Sequence, residues 1–218
     1  MNTKIAFIFD LDGVIVDTAK YHFLAWRNLA NSLGFDFTKK QNEQLKGVSR
    51  VASLELLLKI GNIKLSEEKK QALLIQKNEE YLSYVNKMTS DEILPGIAKV
   101  LEFLIDNKIK FALGSASKNA PLILKKVGLI NKFTAIVDGN QVSKAKPDPE
   151  VFLLGAKKLD MNPEKCVVVE DAIAGVKAAN AADMISIGIG DKTVLNEANY
   201  VFEDTSKITT EFLKSLIN

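Results

Sequence analysis

Residues 5–18 read IAFIFDLDGVIVDT and place acidic residues directly after five apolar ones. The apolar run 5–9 is typical of a strand buried on both faces, as in a parallel sheet covered by helices. Asp10 and Asp12 then follow its carboxyl end, where open α/β sheets bind ligands. Because side chains alternate along an extended chain, these two carboxylates can point the same way while Leu11 points back. Crowded carboxylates favour a cation between them, although Asp and Gly are also common in plain polar turns.

The composition is that of an ordinary soluble globular protein, with 47% hydrophobic and 26% charged residues in a chain of 218. A net charge of +2 without a consistently basic stretch predicts no nucleic-acid partner. No apolar run approaches the roughly 18 residues that cross a membrane, and the N-terminal run is too short for a signal peptide. The single cysteine, Cys166, excludes an internal disulfide. We therefore expect a cytoplasmic protein with no membrane partner.

The periodicity of apolar residues divides the chain into two parts. Residues 17–88 show helical spacing throughout, most clearly at 21–34, 51–61 and 65–85. Beyond that block, strand and helix alternate: the sequence predicts strands at 108–117, 133–139, 165–171 and 184–190, and helices at 96–107, 118–129, 149–160 and 172–182. Such βα repeats predict an α/β fold with a Rossmann-like parallel sheet core and right-handed crossovers.

The position of the helical block predicts two lobes. We expect an α/β core formed by residues 1–16 and 93–218. A helical cap resembling a four-helix bundle, residues 17–92, is inserted after the first strand. Two linkers, near 14–18 and 88–95, join the lobes and can act as hinges.

Reactive side chains follow several of the predicted strands. They are Asp10 and Asp12 after the first, Ser115 and Ser117 with Lys118 and Asn119 after the second, and Glu170 and Asp171 after the strand at 165–171. The loop 143–150 adds Lys146, which the following proline restricts to an extended conformation. Because the carboxyl ends of parallel strands share one edge, these groups can converge on one crevice. Each of them alone also fits a turn, a helix cap or a surface charge.

Together these residue types suit phosphoryl transfer. Carboxylates without nearby His or Cys favour Mg²⁺, which prefers a few carboxylates together with phosphate and water. A lysine and a hydroxyl-bearing turn can neutralise the remaining phosphoryl oxygens. One aspartate can attack phosphorus to form an acyl phosphate, and the other can move a proton for the alcohol.

The stretch DLDGVIVDT, the Ser115 turn, Lys146-Pro147 and Glu170-Asp171 resemble, in order, the four signature motifs of the haloacid dehalogenase superfamily. This resemblance implies that Asp10 is the nucleophile and Asp12 the general acid/base. A dehalogenase protonates no alcohol, so the presence of Asp12 argues against that activity.

The same resemblance implies the ligands of the metal and of the phosphoryl group. Mg²⁺ would be held by Asp10, the main-chain oxygen of Asp12, and Asp171, with Glu170 nearby. The transferring phosphoryl group would be held by Ser115, the amide of Ala116, and Lys146.

Two features of the helical part can contact a substrate. Thr18, His22 and Trp26 are four residues apart and share one helix face, a stripe that also suits plain packing. Ser49 and Arg50 stand at a predicted helix start, where free amides and a guanidinium favour an anion. Arg50 also fits an ordinary surface residue.

The stretches YHFLAW, NEQLKGVSR, QKNEEY and GSASKN resemble the sugar-phosphate mutases of that superfamily. The resemblance implies an isomerase that interconverts β-glucose 1-phosphate and glucose 6-phosphate through β-glucose 1,6-bisphosphate. We also expect the protein to be a monomer. It implies substrate contacts at His22, Trp26, Gly47, Val48, Ser49, Arg50, Ser53 and Lys77 in the cap, and at Ser115, Ala116, Ser117, Lys118, Asn119 and Lys146 in the core. It also implies that Thr18 and His22 couple cap closure to the positioning of Asp12.

Two other functions stay open at this point. A sugar-phosphate phosphatase would use the same core, and a phosphoryl-accepting switch would also use an aspartate, Mg²⁺, a hydroxyl residue and a lysine. The sequence departs from the superfamily pattern at Asp183, where a glycine is common, and at Gly114, where relatives can carry alanine.

Overall fold

The computed structural model describes residues 5–45 and 48–217. Within these ranges, six strands form one parallel sheet in the order β3-β2-β1-β4-β5-β6. The strands are β1 (Ala6–Phe9), β2 (Phe111–Gly114), β3 (Ala135–Val137), β4 (Cys166–Glu170), β5 (Ile185–Ile189) and β6 (Tyr200–Phe202). This arrangement confirms the predicted α/β fold class.

The helices of the same ranges are α1 (Ala19–Ser32), α2 (Lys39–Asn42), α3 (Arg50–Ile60), α4 (Glu67–Val85), α5 (Ile97–Asp106), α6 (Ala120–Lys126), α7 (Glu150–Leu159), α8 (Ile173–Ala181) and α9 (Thr210–Ile217). Helices α1 to α4 lie between β1 and β2, as predicted for the inserted block. The division into core and cap at residues 16/17 and 92/93 stays a prediction. No helix in the described parts of the chain is long and apolar enough to span a membrane.

Strand β1 lies at the centre of the sheet and is buried on both faces. Phe7 and Phe9 pack into the larger hydrophobic core, which contains residues of α5, α6 and α9. Ala6 and Ile8 point to the opposite core, which contains residues of α7 and α8. The alternation that the apolar run predicts is therefore present, with a helical layer on each face.

Helices α1, α3 and α4 enclose a separate hydrophobic cluster. Its buried members include Trp26, Leu29, Phe37, Leu54, Leu57 and Leu74. The two linkers pair by an antiparallel bridge between Val16 and Ile93, next to a hydrogen bond from the Leu94 amide to the Ile15 carbonyl (3.0 Å). The bridge ties the two chain crossings together.

Two of these elements were not predicted from the sequence: β6 and α9. Strand β6 has only three residues, too few to show a clear period. The two departures from the superfamily pattern are accommodated. Asp183 has a positive φ of 56°, a conformation that Asp tolerates better than most residues. A Cβ at Gly114 would lie 2.9 Å from Ile8 Cγ2, so the tight packing of β2 against β1 favours glycine.

Candidate active site

Lys146 joins two carboxylates at the carboxyl edge of the sheet. Its Nζ lies 2.5 Å from Asp10 Oδ1, after β1, and 2.7 Å from Glu170 Oε1, at the end of β4. The Lys146 side chain is 1% exposed, and its peptide bond to Pro147 is cis. Because β1 and β4 are neighbours in the sheet, Asp10 and Glu170 lie close together although they are far apart in the sequence, and Lys146 joins them in one ion-paired cluster.

The charges of this cluster perturb one another. Burial opposes the charged form of Lys146, but the carboxylates of Asp10 and Glu170 outweigh it and raise the pKa of the lysine. Burial also raises the pKa of Asp10 to about 6, even though Lys146 lowers it. At neutral pH Asp10 is thus mainly a carboxylate, the form that a nucleophile needs.

Asp10, Glu170 and Asp171 can hold a metal ion. Each contributes a carboxylate oxygen, and these oxygens lie within 4.8 Å of one another. An all-oxygen donor set fits a hard divalent cation. The oxygens of Glu170 already bind Lys146 and the amides of Asp171 and Ala172. Glu170 therefore orients the cluster in addition to offering an oxygen to a metal ion.

Gly13 permits the loop after β1 to approach Asp171. It has a φ of +78°, which favours glycine, and a Cβ built on it would lie 2.2 Å from Asp171 Oδ2. The glycine of the DLDG stretch is thus required by both backbone conformation and space.

Asp12 faces the cavity with one oxygen unpaired. Burial and the charge of Asp10 raise its pKa to about 7. Its Oδ1 atom is buried and has no hydrogen-bond partner in the described part of the chain. Leu11 between the two acids is fully buried in the core, as the alternation predicts. A pKa near neutrality lets Asp12 both give and take a proton.

The loop after β2 carries the predicted phosphoryl-binding residues. Ser115 is buried, its amide donates to Val137 of β3 (3.0 Å), and its Oγ accepts from the amide of Ser117 (3.1 Å). A Cβ at Gly139 would lie 2.2 Å from the carbonyl oxygen of Ala116. The turn after β3 therefore packs directly against this loop and supports it.

Lys77 on α4 is a buried lysine that lines the same cavity as this loop. It is 2% exposed, its Nζ lies 2.9 Å from His22 Nδ1, and it lies 4.7 Å from the ring centroids of Trp26 and Tyr81. Burial and the charge of Arg50 lower the pKa of Lys77 to about 7. Burial, with the charges of Lys77 and Arg50, lowers the pKa of His22 well below its usual value. The side chains of Lys77 and His22 can therefore take up protons, and so become positively charged, when an anion binds in the cavity.

Arg50 begins α3 and lines the same cavity. Ser49 caps the helix by accepting a hydrogen bond from the amide of Ala52 (3.3 Å), as the predicted helix start requires. Burial lowers the pKa of Arg50, but its guanidinium stays charged at neutral pH.

A cavity of about 570 Å³ lies between the carboxyl edge of the sheet and helices α1, α3 and α4. Most predicted site residues line it: Asp10, Asp12, His22, Trp26, Val48, Ser49, Arg50, Ser53, Lys77, Ser115, Ala116, Ser117, Lys118, Asn119 and Asp171. Lys146 and Glu170 are not among the lining residues. Lys146 contacts both Asp10, which does line the cavity, and Glu170. Thr18 is fully buried at the N-cap of α1 and is not part of the lining. Gly47 lies outside the described residues.

Sequence reasoning missed several lining residues. Gln71, Leu74, Asn78 and Tyr81 line the cavity from α4, at the three-to-four spacing that also includes Lys77. The helical period around Lys77 could have indicated them. Asn42 and the segment 142–145 also line the cavity, but no local pattern indicates this.

Two hydrogen bonds join α4 and the residue that follows it to the sheet part of the chain. Asn119 Nδ2 donates to Asn78 Oδ1 (3.0 Å), and Lys126 Nζ donates to the carbonyl of Asn86 (3.0 Å). The first of them lies at the cavity, because both Asn78 and Asn119 line it.

Comparisons with known proteins agree with this geometry. Residues 6–183 match the family model of haloacid dehalogenase-like hydrolases. The chain is 44% identical to β-phosphoglucomutase of Bacillus subtilis, over 95% of this chain and 93% of the relative. It is 34% identical to a phosphorylated carbohydrates phosphatase of Thermotoga maritima, over 90% and 92% of the two chains. The crystal structure of β-phosphoglucomutase from Clostridium difficile superposes with a TM-score of 0.93 at 46% identity, covering 98% of this chain and 96% of that one. These matches confirm the family resemblance predicted from the motifs.

Proposed function

The chain belongs to the haloacid dehalogenase-like hydrolase family, and from this premise we propose that it is a phosphoglucomutase-type isomerase. It interconverts β-glucose 1-phosphate and glucose 6-phosphate through β-glucose 1,6-bisphosphate and a phospho-aspartyl enzyme. The observation that carries the proposal is the shared cavity, which is lined by the Asp10–Asp12 pair from the sheet and by Arg50 from α3. A mutase needs such a second anion site apart from its nucleophile, because its intermediate carries two phosphates.

Asp10 and Asp12 have different roles in phosphoryl transfer: Asp10 is the nucleophile and Asp12 is the general acid/base. A carboxylate oxygen of Asp10 forms the bond to phosphorus while the bond from phosphorus to the sugar oxygen breaks. Asp12 gives its proton to that leaving oxygen and, in the return step, takes the proton of the attacking sugar hydroxyl. The unpaired, buried Oδ1 of Asp12 supports this role, because a sugar hydroxyl would satisfy it.

The remaining groups bind and orient. Lys146, Ser115 and the amide of Ala116 hold the transferring phosphoryl group, and Arg50 holds the distal phosphate. Asp10, Asp171 and the main-chain oxygen of Asp12 would hold Mg²⁺, which when bound supplies positive charge to the phosphoryl oxygens. The cap contacts His22, Trp26, Ser53 and Lys77 bind the hexose between the two anion sites. Holding the hydroxyl in line favours sugar over water, since positioning is worth effective molarities of roughly 10⁵–10⁸ M.

The protein is inferred to work as a cytoplasmic monomer on small sugar phosphates, without a nucleic-acid or membrane partner. The net charge of only +2 supports the absence of a nucleic-acid partner.

Product analysis tests the proposal against a phosphatase, the activity of the relative from Thermotoga maritima. The protein is incubated with β-glucose 1-phosphate, Mg²⁺ and a catalytic amount of the bisphosphate, and both glucose 6-phosphate and free phosphate are measured. We expect glucose 6-phosphate as the main product. Free phosphate in stoichiometric yield would instead identify a phosphatase.

Replacing Arg50 with Ala should distinguish the site of the distal phosphate from the site of the transferring phosphoryl group. We expect kcat/KM for β-glucose 1-phosphate to fall roughly 10- to 100-fold, the value of a charge-assisted contact. Hydrolysis of a small aryl phosphate should change little, because that substrate has no distal phosphate. Arg27→Ala is the matched control, since the chain's other arginine is half-exposed on α1 and pairs with Asp36. Equal losses on both substrates would refute the assignment of Arg50.

A further inference from the structure

Glu92 joins the second linker to the first turn of α1. Its carboxylate accepts hydrogen bonds from Lys20 Nζ (2.6 Å) and from the hydroxyl of Tyr21 (2.6 Å). Its side chain is 19% exposed, whereas that of Lys20 is 46% exposed. The Glu92 carbonyl also accepts from the amide of Asp17 (3.1 Å) in the first linker. One residue therefore contacts both the opposite linker and the helix that follows it.

These contacts extend the backbone pairing of the linkers. The bridge between Val16 and Ile93 joins the two linkers to each other but does not involve α1. Glu92 adds that connection through two side chains of α1. The linkers and the start of α1 consequently form one unit.

The same unit reaches the cavity wall by two short routes. His22, which lines the cavity, directly follows Tyr21 in α1. The ring of Tyr21 stacks on that of Tyr84 in α4, with centroids 5.6 Å apart and an interplanar angle of 9°. Tyr84 lies one helical turn from Tyr81, another lining residue. A displacement at Glu92 would be transmitted to both helices that carry this wall.

We propose that Glu92 is a positioning residue that holds α1 on the paired linkers, so that closure places His22 and the α4 wall against Asp12 and the substrate. This inference rests on the proposed function, because it concerns the transfer step of that same site. An ordinary exposed ion pair would contribute little to stability and nothing to selectivity between sugar and water. Glu92 differs because its partners connect the hinge to the cavity wall.

The expected consequence is a change in how the phospho-aspartyl enzyme reacts. Without Glu92, α1 can close in several orientations, so the sugar hydroxyl is less often in line with phosphorus. Water needs no such positioning, so its attack continues. The fraction of phosphoenzyme lost to hydrolysis should therefore rise.

The experiment compares Glu92→Ala with Glu80→Ala. Glu80 accepts hydrogen bonds from Asn28 of α1 and Tyr84 of α4, so it joins the same two helices without contacting a linker. For each protein, the phosphoenzyme is formed with the bisphosphate, and its partition between transfer to β-glucose 1-phosphate and hydrolysis is measured. Thermal unfolding is recorded in parallel.

We expect Glu92→Ala to shift the partition towards hydrolysis by roughly 3- to 30-fold, the range found for residues that modulate coupling between sites. Glu80→Ala should leave the partition at the wild-type value. Glu92→Gln, which keeps an acceptor for Tyr21, should give an intermediate shift, and it replaces the alanine variant if that variant does not fold. An unchanged partition in a Glu92 variant of an active mutase overturns this inference alone. A wild-type protein that forms no glucose 6-phosphate overturns the proposed function and this inference with it.

Discussion

Replacing Asp10 with Asn is expected to lower the rate of isomerisation by roughly 10⁴-fold or more, the loss seen when a catalytic nucleophile is removed. An amide cannot form the acyl phosphate, and neither Asp12 nor Lys146 can replace it, because a proton donor and a cation form no bond to phosphorus in this scheme. Rates with β-glucose 1-phosphate and the mass of the protein after incubation with the bisphosphate check the prediction. The wild type should gain the mass of one phosphoryl group, and the variant should not.

The control for this substitution lies in the same stretch of sequence. Asp17 has a side chain that is 49% exposed, and it contacts Lys20 only at 3.8 Å. Asp17→Asn should therefore keep activity within a few fold of the wild type. Isomerisation that survives in the Asp10 variant would contradict the assignment of the nucleophile and, with it, the proposed function.

Replacing Lys146 with Met is expected to damage stability as well as activity. The substitution leaves the carboxylates of Asp10 and Glu170 buried without their shared cation. Breaking a buried ion pair on one side costs about 3–5 kcal/mol. For a chain of this size the loss corresponds to a fall in Tm of roughly 6–20 °C. Thermal unfolding in metal-free buffer measures it.

The fall in Tm caused by Lys146→Met should increase as the pH rises. The pKa of Asp10 in the folded protein is already raised from 3.8 to about 6, and the loss of Lys146 removes an interaction that lowers it. When the pKa of an acid is higher in the folded than in the unfolded protein, the folded state loses stability as the pH rises from the unfolded-state pKa through the folded-state pKa. The difference in Tm between wild type and variant should therefore be larger at pH 8 than at pH 5.

Lys144→Met provides the matched control for this measurement. Lys144 is in the same loop, but its side chain is 69% exposed and pairs only with Asp148, at 3.4 Å. Its loss should change Tm by no more than a few degrees at either pH. A Lys146 variant that behaves like the Lys144 variant, or whose deficit is the same at pH 5 and pH 8, would show that the buried cluster does not contribute as inferred.

The sheet was predictable because its signals are local. Five apolar residues before Asp10 indicated β1, and similar runs indicated β2 to β5; reactive residues were predicted at the ends of β1, β2 and β4. Strand β6 and helix α9 were missed. The exposed residue Tyr200 begins β6, and such a short edge strand depends on its pairing with β5 rather than on its own composition.

The candidate site was predictable in its members more than in its interactions. Arg50, Lys77 and the Ser115–Asn119 loop line the cavity. The substrate contacts that the resemblance implied for them stay a prediction. Thr18, by contrast, lies outside the lining. Nothing in the sequence indicated that Glu92 binds Lys20 and Tyr21, because these partners are about 70 positions apart in the chain.

By itself, the sequence determined the order of the strands β1 to β5 and of the helices between them, the acidic ends of the central strands and the family to which the chain belongs. These properties follow from the period of apolar residues and from short motifs, which act over a few neighbouring positions. The tertiary structure decided which charges meet: Lys146 between Asp10 and Glu170, and Lys77 against His22. The pKa of Asp12 and that of Lys77, both near 7, arise first from burial and then from the charges of Asp10 and Arg50 respectively, and only the folded chain creates that burial.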